Sequence, residues 1–187
     1  MHNVVTDVSM RGRINFAGRL VLMRISAAQD IGPNGAQNQM HFLRNPGQSP
    51  TEAIANWRNF VSSRLNEARE LYQGGDFRAS LQPFGEALHA IADSFSPVHN
   101  QGGQPAEYDP DSGMIEATRQ GHSVTDITGD ENTSDLTPEL RSQVVAAMRK
   151  AYDDVYGESD TPLNNSPERE RKFECTGSRI KQKEPCL

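Results

Sequence analysis

Between Ser49 and Pro97 the chain carries two consecutive apolar repeats of helical spacing, each with its own start signal. This pair constrains the fold more than any other feature. The first opens at "SPTE": Ser49 can cap the free amides, Pro50 suits the first helical position, and Glu52 completes a capping box. Ile54, Trp57, Val61, Leu65, Ala68 and Tyr72 then recur every three or four residues, which predicts one buried face of a helix running to about residue 73. On that stripe Trp57 reads as core, not as a stacking platform for bases. "GGD" stops the helix, and Asp76 can cap a second one with Phe77, Leu81, Phe84, Leu88 and Ile91 inward, ending near Pro97.

The remainder follows the same logic. Residues 14–28 form a moderately apolar segment that predicts a helix, followed by "DIGPNGAQNQMHF", whose Gly, Pro and Asn read as a loop. "NQGGQPAEYDPDSG" (100–113) is a second, longer loop, and a short helix is expected over 114–127. Thr137 and Pro138 start the last helix, with Leu140, Val144, Met148, Tyr152 and Val155 inward and Gly157 as its stop. No segment alternates convincingly with period two. The expectation is an all-α fold of about five helices in one domain over 1–157, with 158–187 as an extended polar tail. Such a tail, with the long loops, accounts for a mean hydropathy of -0.70, low for a globular chain.

A net charge of -6 disfavours a stable nucleic-acid binder, since the surface does not attract polyanions. It does not exclude an enzyme that meets a phosphodiester only briefly, through metal ions. The longest apolar run, "GRLVLMRI", is short and interrupted by Arg24, far from the roughly 18–20 residues of a membrane span. The N-terminus lacks the apolar region of a signal peptide. Cys175 and Cys186 lie together near the C-terminus, where a disulfide loop and two free thiols are both open readings.

The histidines carry the chemistry. His89, Asp93 and His99 fall in "HAIADSFSPVH", in a chain with five histidines. Spacing of four places His89 and Asp93 one above the other on a helix face. "HSVTD" repeats that spacing with His122 and Asp126, and His41 sits in the loop "QMHF". Imidazole nitrogens with carboxylate oxygens form a ligand set that suits zinc. A single such pair is most often a surface contact or a satisfied hydrogen bond; two pairs and a third spaced histidine argue for metal.

"ALHAIADSFSPVH" fits H-x3-D-x5-H with Pro two residues before the last His, and it resembles the signature of the zinc-dependent phospholipase C and single-strand-specific zinc nuclease superfamily. "HSVTD" matches that family's downstream element and "MHF" its upstream histidine, so the resemblance spans about 30–126. It implies an all-helical protein with two or three zinc ions. One ion would be held by His41, His89 and Asp93 with Asp30, the nearest upstream carboxylate, and a second by His99, His122 and Asp126. Asp93 would bridge to a third, which family members complete with an N-terminal Trp. This chain begins "MHNVVTD" instead, leaving His2 or Asp7 to substitute. The stretch "HFLRNPGQSP…FGEALHAIADSFSPVHN" also looks like the C-terminal toxin domains of Rhs-type effectors. That likeness implies a secreted or delivered enzyme, part of a larger protein, with an immunity protein as partner.

The resemblance implies phosphodiester hydrolysis, in which zinc ions neutralise phosphate and activate water. Asp30 or Asp93 would take the proton from that water. Arg44 is a candidate phosphate donor, the alternative being a solvated loop arginine. Asp126 and the long interval from His99 to His122 look closer to the nuclease branch. The acidic chain, scattered basic residues and single Trp argue against a nucleic-acid groove, and the balance leans to phospholipid. Two readings lie outside catalysis: a helical interaction module with structural zinc or no metal, and a degenerate relative that binds phosphoesters without cleaving them.

Overall fold

The computed structural model describes residues 2–30, 38–97, 99–108 and 136–157. Among them are five helices: α1 (His2–Met10), α2 (Phe16–Ala28), α3 (Pro50–Gln73), α4 (Phe77–Asp93) and α5 (Pro138–Tyr156). The fold is all-α, as the periodicity predicts. Three very short strands accompany the helices: β1 (Leu43–Arg44), β2 (Asn100–Gln101) and β3 (Gln104–Glu107). The predicted helix at 114–127, the tail beyond 157 and both cysteines lie outside the described residues.

The helix boundaries fall where the capping chemistry puts them. Ser49 Oγ accepts from the Glu52 amide, Asp76 Oδ1 from Ala79, and Thr137 Oγ1 from Leu140. Each satisfies one of the amides a helix start leaves without an internal partner. The last helix ends on Gly157, whose φ of 81° a residue with a Cβ adopts only with strain.

α4 is the axis of the molecule. Its buried residues run round most of its circumference, from Leu81 and Phe84 to Ala87, Leu88 and Ile91. α2, α3 and α5 pack around it, and α1 closes the core through Val5 and Met10. Tyr72, Phe84, Tyr152 and Tyr156 meet edge-on or tilted at one end, with Tyr72 and Tyr156 ring centres 5.0 Å apart. Gly85 lets α2 come close: a Cβ there would lie 2.6 Å from Ile25 Cγ2. The predicted stripe of α3 is only half-buried apart from Ala68, and the other buried residue of the helix, Ala53, lies beside the stripe. Trp57, Val61 and Leu65 line a groove of about 330 Å³ between α3 and α5. Trp57 still ties α3 to the axis, its Nε1 donating to the Ala90 carbonyl at 2.9 Å.

The strands join two loops. β2 and β3 form a hairpin across Gly102 and Gly103, both at positive φ as a tight two-residue connection needs. β3 also pairs in parallel with β1, Leu43 opposite Ala106 and Arg44 opposite Glu107. The chain just after His41 is thereby fastened to the chain just after His99.

Candidate metal centre

His89 and Asp93 occupy successive turns of α4, and neither exposes any surface to solvent. A buried carboxylate is costly unless charge or hydrogen bonds compensate it. Asp93 Oδ2 lies 3.1 Å from His89 Nε2 and 3.0 Å from His41 Nδ1. His41 comes from a 3₁₀ turn, Asn38–His41, and its ring stands edge-on to that of His89 at 88°. The two ring nitrogens that face each other are 3.1 Å apart. Asp30 enters from two residues beyond α2, with Oδ1 at 3.6 Å from His89 Nε2 and 3.8 Å from His41 Nδ1.

Each of the two imidazole nitrogens therefore meets the other and both carboxylate oxygens, at 3.0–3.8 Å. Four ligands about 2.0–2.1 Å from a tetrahedral zinc lie about 3.3–3.4 Å from one another, so the spacing suits such an ion. A divalent cation among Asp30, His41 and His89 would meet three of these atoms at once, with Asp93 Oδ2 against both rings. Asp30 Oδ1 is buried and accepts no hydrogen bond among the described residues, as expected of an oxygen kept for a cation. The group Asp30, His41 and His89 can hold a metal ion, and Asp93 reaches into the same cluster.

The other predicted residues divide. His99 is buried beside the cluster, its ring 6.2 Å from that of His41 and nearly parallel to it. The fastening explains its position, since its carbonyl accepts from the Ala106 amide at 2.8 Å. His122, Asp126 and the side chain of His2 lie outside the described residues. Asp7 is clamped by Arg11 and Arg19 at 2.5 and 2.8 Å. Burial alone would raise its pKa, but hydrogen bonds from Arg19 and Arg11 outweigh that and hold the carboxyl below its ordinary value. Arg44 pairs with Glu107 across β1 and β3 and donates to the Gln48 carbonyl, so a phosphate would have to compete with a carboxylate for it.

The sequence reading missed a cleft of about 620 Å³ next to the cluster. Gln29 and Met40, neighbours of Asp30 and His41, contribute to its wall, and Asn56, Asn59 and Arg64 of α3 face Glu86 of α4 across it. The signal was present: Asn56, Asn59 and Ser63 repeat at helical spacing, a polar row that the apolar stripe overshadowed. Among the described residues no helix is long and apolar enough to cross a membrane. No protein-family model matches the chain, and no curated protein or solved structure matches it either.

Proposed function

We propose that the chain is a zinc-dependent phosphodiester hydrolase that cleaves phospholipid in the manner of a phospholipase C. The observation that supports this most is the meeting of His41 and His89 with each other and with Asp30 and Asp93 at 3.0–3.8 Å, largely away from solvent. Nitrogen and carboxylate donors in that number fit zinc among the common divalent ions. Bound there, zinc would supply charge for the phosphate oxygens and a lowered pKa for water. His41 and His89 hold the site through ring nitrogens fixed by the 3₁₀ turn and by α4. Asp93, wholly buried, serves to bind and orient. Asp30 keeps a side-chain exposure of 13% and is the carboxylate best placed to exchange a proton with solvent or substrate.

His99 is the starting point for a second ion, to be completed by His122 and Asp126. A third ion would have to draw on His2, because Asp7 is already committed to two arginines. The reading extends to a toxin domain of a larger delivered protein, restrained by an immunity protein. A structural zinc in a helical interaction module is the second reading, favoured by the complete burial of His89 and Asp93, since closed sites with four protein ligands are typically structural.

Incubation with phosphatidylcholine or phosphatidylethanolamine vesicles, and separately with single-stranded DNA and RNA, tests the proposal. Metal-dependent release of diacylglycerol with intact nucleic acid is the expected result. Degraded single strands with untouched lipid would move the activity to the nuclease alternative. Chelation that lowers stability, with no activity on any substrate to lose, would establish the structural role.

A further inference from the structure

α2 is apolar on both sides. Gly18, Leu22 and Ser26 face the core, while Phe16, Leu20 and Val21 are exposed at 62%, 41% and 42%. Ala17, Val21, Arg24 and Ala28 follow one another along one row of the outer surface, with Phe16 and Leu20 along the next. Val4 of α1, the helix packed against α2, adds another exposed apolar side chain at 41%. A single exposed leucine needs no explanation, but Phe16, Leu20 and Val21 exposed together on one helix face do.

Charge identifies the occupant. The chain carries a net charge of -6, yet the α1–α2 hairpin runs the other way. Its acidic residues are Asp7 and Asp30, and Asp30 is turned inward to the metal cluster. Arg13 is drawn to Asp153 of α5. That leaves Arg11, Arg19 and Arg24 against Asp7 alone, with the Arg19 guanidinium 5.5 Å from the Phe16 ring centre. An apolar helix face with an aromatic and excess arginine matches the boundary of an anionic bilayer, where apolar side chains enter the acyl region and cations meet headgroup phosphate.

We propose that the outward face of α2, with the arginines at its rim, docks the protein onto anionic phospholipid bilayers. This rests on the phospholipid reading of the metal centre for its purpose, although none of the docking residues belongs to that centre. α2 runs directly toward Asp30, so a docked helix would fix the orientation of the metal cluster relative to the lipid surface.

The test is co-sedimentation of the full chain as purified with phosphatidylethanolamine–phosphatidylglycerol vesicles, and with phosphatidylcholine alone. Wild type is expected to bind the anionic vesicles, less tightly as salt rises. Phe16→Ser with Leu20→Ser should weaken binding roughly tenfold or more, and Arg24→Glu should weaken it on anionic vesicles, each with an unchanged circular dichroism spectrum. Absence of vesicle binding, or equal binding by the variants, would overturn the proposal. So would variants that break a dimer and leave vesicle binding intact, because the face would then belong to a second copy. Vesicle binding with no cleavage of any phospholipid would leave the docking surface standing and remove the phospholipase reading. Cleavage of a soluble short-chain phospholipid without vesicle binding would do the reverse.

Discussion

Gly85→Ala sets two opposing effects against each other at the crossing of α2 and α4. In a helix interior the change gains about 0.8–1.0 kcal/mol, since glycine loses more backbone freedom on folding. Against this, the new Cβ would lie 2.6 Å from Ile25 Cγ2 and 2.9 Å from Ile25 Cβ. A branch-point carbon sits close to its backbone and cannot swing aside, so α2 itself must move. Overpacking of this kind costs about 1–3 kcal/mol. The net expectation is a loss of about 1 kcal/mol, or roughly 2–4 °C in melting temperature for a chain of this size. Moving α2 also carries Asp30 away from His89 and His41, so zinc affinity should fall with stability. Denaturant unfolding of the metal-free protein gives the first quantity. A zinc titration followed by Trp57 gives the second, because that single Trp packs on Phe42, next to His41. In an Ile25→Ala background the same glycine substitution should cost less, which a double-mutant cycle measures. A Gly85→Ala protein more stable than wild type, with unchanged zinc affinity, would refute the close approach and its link to the metal site.

Asp93→Asn should remove hydrolysis by at least about 100-fold, more than the loss of a residue that merely orients a ligand, while circular dichroism stays helical. His122→Ala should also lower turnover if the second ion exists, and near wild-type rates would remove His122 from the site. Chelator should destabilise zinc-loaded protein by about 4 kcal/mol, or about 8–16 °C, where free zinc had exceeded its dissociation constant a thousandfold; superimposable melts with and without chelator would contradict this. Burial, reinforced by neighbouring tyrosines, pushes the Tyr152 and Tyr156 phenols well above their ordinary value. A raised folded-state pKa gives stability that is whole below the unfolded value of about 10 and lost as pH rises beyond it. Stability measured across that range should fall, and ultraviolet titration should show both phenols ionising only on unfolding; free ionisation in the folded protein would contradict their burial.

Three helices could be read from a cap together with a stripe, and α2 from its apolar segment at 14–28 alone. Ser49, Asp76 and Thr137 mark three starts because each side chain bonds an amide that would otherwise go unpaired. α1 gave no such signal: "HNVVTDVSM" is short, β-branched and uncapped in sequence, and its place is secured by packing of Val5 and Met10. The strands could not be read either, since elements of two to four residues are too short to alternate and β3 contains Pro105. Their omission mattered, because they hold the His41 and His99 loops together. Within the site, the spacing of His89 and Asp93 was legible from helical geometry alone. The convergence of Asp30 and His41 on them was legible only through the resemblance, since spacing alone cannot show the tertiary approach of α2 and of the 3₁₀ turn. The depth of α3 was misjudged because a stripe shows which face turns inward, not how completely a neighbour covers it.

The most direct measurement is anomalous diffraction at the zinc edge from crystals of the full chain grown with zinc. The account predicts a peak about 2.0–2.2 Å from His89 Nε2, His41 Nδ1 and carboxylate oxygens of Asp93 and Asp30, with a second peak beside His99. Crystals grown in excess zinc with no anomalous density between His41 and His89 would contradict it.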